Sequence, residues 1–177
     1  VARGGHGQRV TVIAVTKTHG PEAVRAAWQA GLPDVGENKV QEALGKIDAV
    51  DVPVRWHLIG HLQRNKVRDL DHFALVHSID RASLADAVSA FGLARKRSVD
   101  ALVQVNVAGE ETKGGFAPAD MPAEAERFVS RAGVRVTGVM TMAPIDADER
   151  TLRRVFAGAR AARELLVWLG ATTLKGY

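Results

Sequence analysis

Short apolar runs rich in β-branched residues alternate along the chain with longer stretches whose apolar positions recur every three to four residues. Val10-Thr-Val-Ile-Ala-Val15 is a continuous run of strand type. Pro21 opens a helix carrying Val24, Ala27 and Trp28, and Gly31 closes it. Asp34-Val35 reads as a short strand. The next helix sets Val40, Ala43, Leu44, Ile47 and Val50 on one face. Arg55 to Ile59 is a third strand, followed by a helix over Leu62 to Leu70 and a strand over Ala74 to Ile79. Asp80 is placed to cap a helix bearing Leu84, Ala87, Val88 and Phe91. A strand over Val99 to Val107, a glycine-containing loop to Phe116, a helix with Met121, Ala125, Phe128 and Val129, and a strand over Val134 to Met142 follow. The last helix runs from about Asp148 to Leu169 with Leu152, Val155, Phe156, Ala159, Leu165 and Leu166 inward, and Ala171 to Leu174 begins a seventh strand. Trp28, Trp56 and Trp168 fall on apolar faces and are expected in the core.

Strands alternating with helices define βαβ units and a parallel sheet. Short strands without polar alternation are those covered on both faces. A doubly wound sheet and a (β/α)₈ barrel both fit this order, and the run of units at modest spacing favours the barrel. Such a barrel takes about 200 residues or more, and this sequence has 177. The expectation is a single barrel domain over residues 1–177 lacking its final strand and helix.

Composition narrows the function classes. No apolar run reaches the roughly 20 residues that span a bilayer. There is no cysteine, so disulfides, thiolate metal sites and cysteine nucleophiles are excluded, and a cytoplasmic location is expected. The net charge is +4. The basic residues are scattered and 5% of residues are aromatic, a pattern of solvated helix faces more than of a nucleic-acid surface.

In a parallel barrel the chemistry sits where strands end. Those positions give Thr16-Lys-Thr-His19, Gly36-Glu-Asn38, His57 to His61, Ser78-Ile-Asp80, Gln104-Val-Asn106 and Met140 to Pro144. Lys17 follows the first apolar run without a turn. A lysine there is expected to be partly desolvated, which favours an amine nucleophile suited to Schiff-base chemistry; a strand-end lysine reaching solvent is the alternative. His57 and His61 have metal-like spacing but lie on a strand and turn, without the glutamate of a zinc-protease motif. Gly4-Gly-His-Gly7 precedes a strand instead of following one, so it is no dinucleotide loop. Asp146, Asp148 and Glu149 are placed to cap the last helix.

Seven motifs, in order, carry a resemblance to a known family. They are Ala14-Val-Thr-Lys-Thr18, Gly36-Glu-Asn-Lys-Val-Gln-Glu42, Trp56-His-Leu-Ile-Gly-His-Leu-Gln-Arg-Asn-Lys66, His77-Ser-Ile-Asp80, Val103-Gln-Val-Asn-Val107, Lys113-Gly-Gly-Phe116 and Gly138-Val-Met-Thr-Met-Ala-Pro144. From about Val10 to Leu174 the chain resembles the YggS/PROSC family of pyridoxal-phosphate homeostasis proteins, which share the alanine racemase N-terminal barrel. The resemblance implies pyridoxal 5'-phosphate as cofactor, Lys17 as the residue forming the Schiff base with it, Asn38 and His57 near it, and Met142 packed on its ring. It implies a monomeric carrier or buffer of the cofactor, with pyridoxal-phosphate-dependent apo-enzymes as partners and neither nucleic acid nor membrane. A racemase is the alternative, but it needs a second acid/base on the opposite substrate face, which in racemases an additional domain supplies. A basic interaction or nucleic-acid module is the third reading. The family's first helix and its phosphate-binding segments have no counterpart here, so the chain is expected to be shortened at both ends.

Overall fold

The computed structural model describes residues 10–110 and 112–172. Six strands form one sheet: β1 (Ala14–Val15), β2 (Asp34–Glu37), β3 (Arg55–Leu58), β4 (Leu75–Ile79), β5 (Val99–Gln104) and β6 (Val134–Met140). Every pairing is parallel, and the spatial order is the order of the chain. That order separates the two topologies the sequence leaves open. A doubly wound sheet reverses its strand order partway. Here right-handed crossovers taken always in one direction lay every connection on the same face, the winding of a barrel. Thr172 makes a further parallel bridge to Val136 on the free side of β6, so the sheet continues past its sixth strand. Leu174, the end of the expected seventh strand, lies outside the described residues.

The crossovers are α1 (Pro21–Gln29), α2 (Val40–Ile47), a 3₁₀ segment at Arg64–His72, α3 (Ala82–Ala94), α4 (Met121–Val129) and, after β6, α5 (Glu149–Trp168). The core lies between them and the outer face of the sheet. Val35, Leu58 and Val76 from the strands are buried with Val24, Val40, Leu62, Leu70, Leu84 and Val88 from the crossovers. Strand side chains alternate between faces, so Asp34, Gly36, Arg55, His57 and His77 turn to the inner face. Contacts agree with that grouping: Asp34 meets Arg55 and His57, and His57 meets His77.

Several local expectations are corrected. The run Val10 to Val15 forms a ladder only at Ala14–Val15. Among the described residues β1 has a single neighbour, so Val10 and Val12 lie half-exposed and Val15 is 53% exposed. The helix expected over Leu62 to Leu70 is the 3₁₀ segment. On α5, Val155, Ala159, Ala162 and Leu166 are buried, but Phe156 is 56% exposed. Trp56 is a core residue, Trp28 is only partly covered, and Trp168 is 81% exposed. The periodicity finds the helix correctly. It overstates the width of the buried stripe, because only one flank of α5 is covered here. Asp148 does cap α5, accepting from the Thr151 N–H at 2.8 Å.

Candidate functional site

Lys17 stands at the carboxyl end of β1, on the side where barrel chemistry is built. The inner face there is set by Ile13 and Ile59, which close against Gly36; a Cβ on Gly36 would come within 3.0 Å of Ile59 and 3.2 Å of Ile13. Alternation from Ile13 puts Val15 and Lys17 on that same face. Lys17 is exposed and makes no hydrogen bond or ion pair with another described residue. This corrects the expected desolvation: among the described residues the strand before Lys17 has one neighbour, β2, so apolar neighbours cover one side of it.

The backbone around Lys17 is tied on both sides. Thr16 donates its hydroxyl to Glu37 Oε1 at 2.6 Å. Lys46, reaching back from α2, donates to the Thr16 carbonyl at 2.8 Å, to Glu37 Oε1 at 2.7 Å and to Glu42 Oε1 at 2.8 Å. Glu42 Oε1 in turn accepts from the Thr18 N–H at 2.6 Å. Thr18 has a φ of 67°, a left-handed conformation costing about 1–2 kcal/mol in a non-glycine residue. Burial alone would lower the Lys46 ammonium, but its bonds to Glu37 and Glu42 outweigh this and raise it above the ordinary lysine value. The Lys46 bond, opposed by burial and joined by the Thr18 N–H, holds the Glu42 carboxyl below its usual range. Glu37 Oε2 is buried with no partner among the described residues.

Asn38 follows β2 and is half-buried. Its backbone lies against Gly60, where a Cβ would collide with the Asn38 carbonyl oxygen and come within 2.7 Å of its Cα. Only glycine lets the loop after β3 approach this closely. Ser78 fixes the same turn by donating to the Gly60 carbonyl at 2.5 Å.

His57 is on the inner face, one layer deeper. It pairs with Gly36, which pairs with Val15, so Lys17 lies about 6–7 Å further along the strand direction. Both ring nitrogens are engaged: Nε2 on Asp34 Oδ1 at 2.8 Å and Nδ1 on His77 Nε2 at 3.0 Å. Burial would raise the Asp34 carboxyl, but hydrogen bonds from Arg55 and His57 hold it below its ordinary value. His77 is pushed down to about 4, by burial first and by His57 second. His61 turns elsewhere, with Nδ1 2.8 Å from Asp80 Oδ2. The expected Asp80 cap on α3 is therefore not made; Arg81 occupies the cap position, and Asp80 binds His61 and the Arg81 guanidinium. No metal-binding cluster of His, Asp and Glu occurs among the described residues.

Met142 follows β6 and is 44% exposed. The loop beside it is anchored by Lys113, which donates to the Ala143 carbonyl at 3.3 Å and pairs with Glu110 at 2.8 Å. Asn106 organises that loop, donating to the Glu110 and Lys113 carbonyls and accepting from the Gly109 N–H. The groove outlined by Leu152, Phe156 and Arg160 is lined by residues of α5 and by none of these strand-end residues.

The sequence singles out Lys17, Asn38, His57 and Met142. The structure sets Lys17, Asn38 and Met142 at strand ends, and His57 beneath. It adds Lys46, Glu42, Asp34 and His77. Two signals point to them: the Glu42–Lys46 spacing of four, which pairs on a helix, and charged residues inside apolar strands.

These features define a class: a sequentially wound parallel β/α barrel whose first strand ends in a lysine that pairs with no other described residue. The pattern of the family described as "Alanine racemase, N-terminal domain" matches residues 2–174. The chain is 42% identical to the pyridoxal phosphate homeostasis protein of Pseudomonas aeruginosa over 160 residues, covering 89% of this chain and 68% of that one. It is 38% identical to the protein of that name from Aquifex aeolicus over 167 residues, covering 93% and 73%. PipY of Synechococcus elongatus, solved with pyridoxal phosphate bound, superposes with a TM-score of 0.83 at 33% identity, covering 93% of this chain and 78% of PipY. Alanine racemase from Corynebacterium glutamicum, at 13% identity and a TM-score of 0.73 over 90% of this chain and 46% of its own, shares the fold. The chain belongs to the alanine racemase N-terminal domain family, among the pyridoxal phosphate homeostasis proteins. No helix among the described residues is long and apolar enough to cross a membrane.

Proposed function

We propose that the protein binds pyridoxal 5'-phosphate through Lys17 and serves as a carrier or buffer of the cofactor, handing it to dependent apo-enzymes as a monomer. The observation that carries this reading is the Lys17 amine, free of any described partner and open at the carboxyl end of β1. The group fits the residues present: an unpaired amine for its aldehyde, the half-buried Asn38 as a polar neighbour and the exposed Met142 thioether for its ring. When bound, the cofactor supplies an aldehyde that condenses reversibly with an amine. The chain's own part is to hold the lysine in place and keep it unpaired. His57, with both nitrogens engaged, forms the polar floor below.

The test is to incubate the protein with the cofactor, reduce with borohydride and map the adduct by mass spectrometry. Adduct concentrated on Lys17 and lost in Lys17→Ala is the expected result; labelling spread over surface lysines overturns the assignment. Exchange of the α-proton of L-alanine no faster than with free cofactor is expected of a carrier, and turnover well above it favours a racemase.

A further inference from the structure

The proposed function leaves unused a buried cation beside Lys17. Lys46 is a helix residue whose side chain is 6% exposed, and its three hydrogen bonds run to three segments: the end of β1, the end of β2 and the first turn of α2. A lysine in a solvated helix would extend to water. This one turns inward instead, and burying an ammonium is favourable only where its partners are fully supplied. The partners are the Thr16 carbonyl and two carboxylates. The same carboxylates hold the other atoms that flank Lys17, the Thr16 hydroxyl through Glu37 and the Thr18 N–H through Glu42. Both peptides around Lys17 thus converge on one ammonium.

We infer that Lys46 is the positioning residue for Lys17: with Glu37 and Glu42 it clamps Thr16 and Thr18, so that the Lys17 side chain leaves the strand toward the barrel mouth and is presented unpaired. The inference rests on Lys17 being the cofactor's attachment point. Three features separate it from a purely structural role. The clamp is bonded to the two residues either side of Lys17 and not to the sheet at large. It holds Thr18 at a φ of 67°, a conformation that a β-branched residue adopts only when its surroundings impose it. Its charges are collected on the helix side, so the inner face that carries Lys17 receives no carboxylate from it that could pair with the amine and quench it. Glu37 and Glu42 would be obvious partners for a free lysine nearby, and Lys46 is bonded to Oε1 of each.

Three variants test this. In Lys46→Met with Glu37→Gln, no buried charge is stranded and the packing volume is kept, and the amide that replaces the Glu37 carboxylate can still accept from the Thr16 hydroxyl. Glu42→Ala removes the acceptor of the Thr18 N–H, and Glu42→Gln keeps an amide oxygen in its place. The share of reduced adduct on Lys17, relative to all other lysines, is expected to fall at least tenfold in the double variant and in Glu42→Ala, and to recover substantially in Glu42→Gln. A second readout needs no cofactor. Amide hydrogen exchange at Thr18 is expected to be slow in the unaltered chain and Glu42→Gln, and at least tenfold faster in Glu42→Ala. Melting curves establish which variants fold; if the double variant does not, the two Glu42 variants decide. Folded variants with an unchanged Lys17 share and unchanged Thr18 exchange overturn the positioning role while leaving Lys17 as the attachment point. An unaltered chain that places no adduct on Lys17 overturns the functional reading. In that case fast Thr18 exchange in Glu42→Ala still supports the clamp, and slow exchange removes it too.

Discussion

Asp34 and His57 face each other across β2 and β3, the carboxylate Oδ1 2.8 Å from the imidazole Nε2. A carboxylate accepts, so His57 donates from Nε2 to Asp34, and its Nδ1 meets His77 Nε2 at 3.0 Å. The contacts run in one line from His77 through His57 to Asp34, and Arg55 completes it with two further bonds to Asp34.

A pH dependence of stability follows. Burial holds His77 down to about 4, below its ordinary 6.5. Between those values the unfolded chain binds a proton there that the folded chain does not, so stability falls as pH falls from about 6.5 to 4. The loss is expected to be about 2 kcal/mol after allowing for partial exposure, each unit of difference being worth about 1.4 kcal/mol. Asp34, held below its ordinary value, adds a further loss at still lower pH. Denaturant titrations across this range should show the slope, and His77→Gln should flatten it above pH 4.

Gly60→Ala should disturb Asn38. The added methyl meets backbone atoms that cannot rotate away, so the two loops must separate. A loss of about 1–3 kcal/mol is expected, the usual cost of forcing atoms into a filled space. A urea midpoint shift at unchanged slope would register it, together with weaker retention of the cofactor.

Lys17→Ala should separate binding from folding. The side chain is exposed and without a described partner, so stability should stay within about 0.5 kcal/mol. Cofactor absorbance in the protein fraction after gel filtration should disappear. A large drop in melting temperature would show that the lysine has a structural partner.

Met142→Ala probes the ring contact. A sulfur–aromatic contact is worth about 0.3–1.5 kcal/mol, so cofactor affinity measured by fluorescence titration should fall by between twofold and about tenfold. Melting of the cofactor-free protein should be unchanged.

The period-2 and period-3.6 patterns locate the strands and helices because each crossover buries one apolar stripe against Val35, Leu58 or Val76. They fail where burial is incomplete. Val10 to Val15 looks like an interior strand but has one neighbouring strand among the described residues, and Phe156 and Trp168 look inward on a helix covered along one flank. Asp80 reads locally as a cap, whereas His61, distant in sequence, competes for the same oxygens. The Lys17 position is legible from the end of an apolar run. The Glu42–Lys46 spacing marks a helix pair, but the inward turn of Lys46 is not legible, because a lysine on an amphipathic helix reads as solvated unless the carboxylate of Glu37 on the neighbouring strand is already known to be there. The line of Asp34, His57 and His77 is likewise invisible in sequence, since it depends on strand register.

The sequential strand order has a kinetic consequence. Each strand pairs with the one made just before it, so every ladder forms between segments separated by one crossover. The closure entropy of each step stays that of a short loop. A nascent chain can add its strands one at a time as they emerge, and no early strand waits for a late one to become its first partner. Folding should therefore advance from the β1–β2 pair toward β6, and pulse-labelled amide exchange during refolding should show protection spreading in that order.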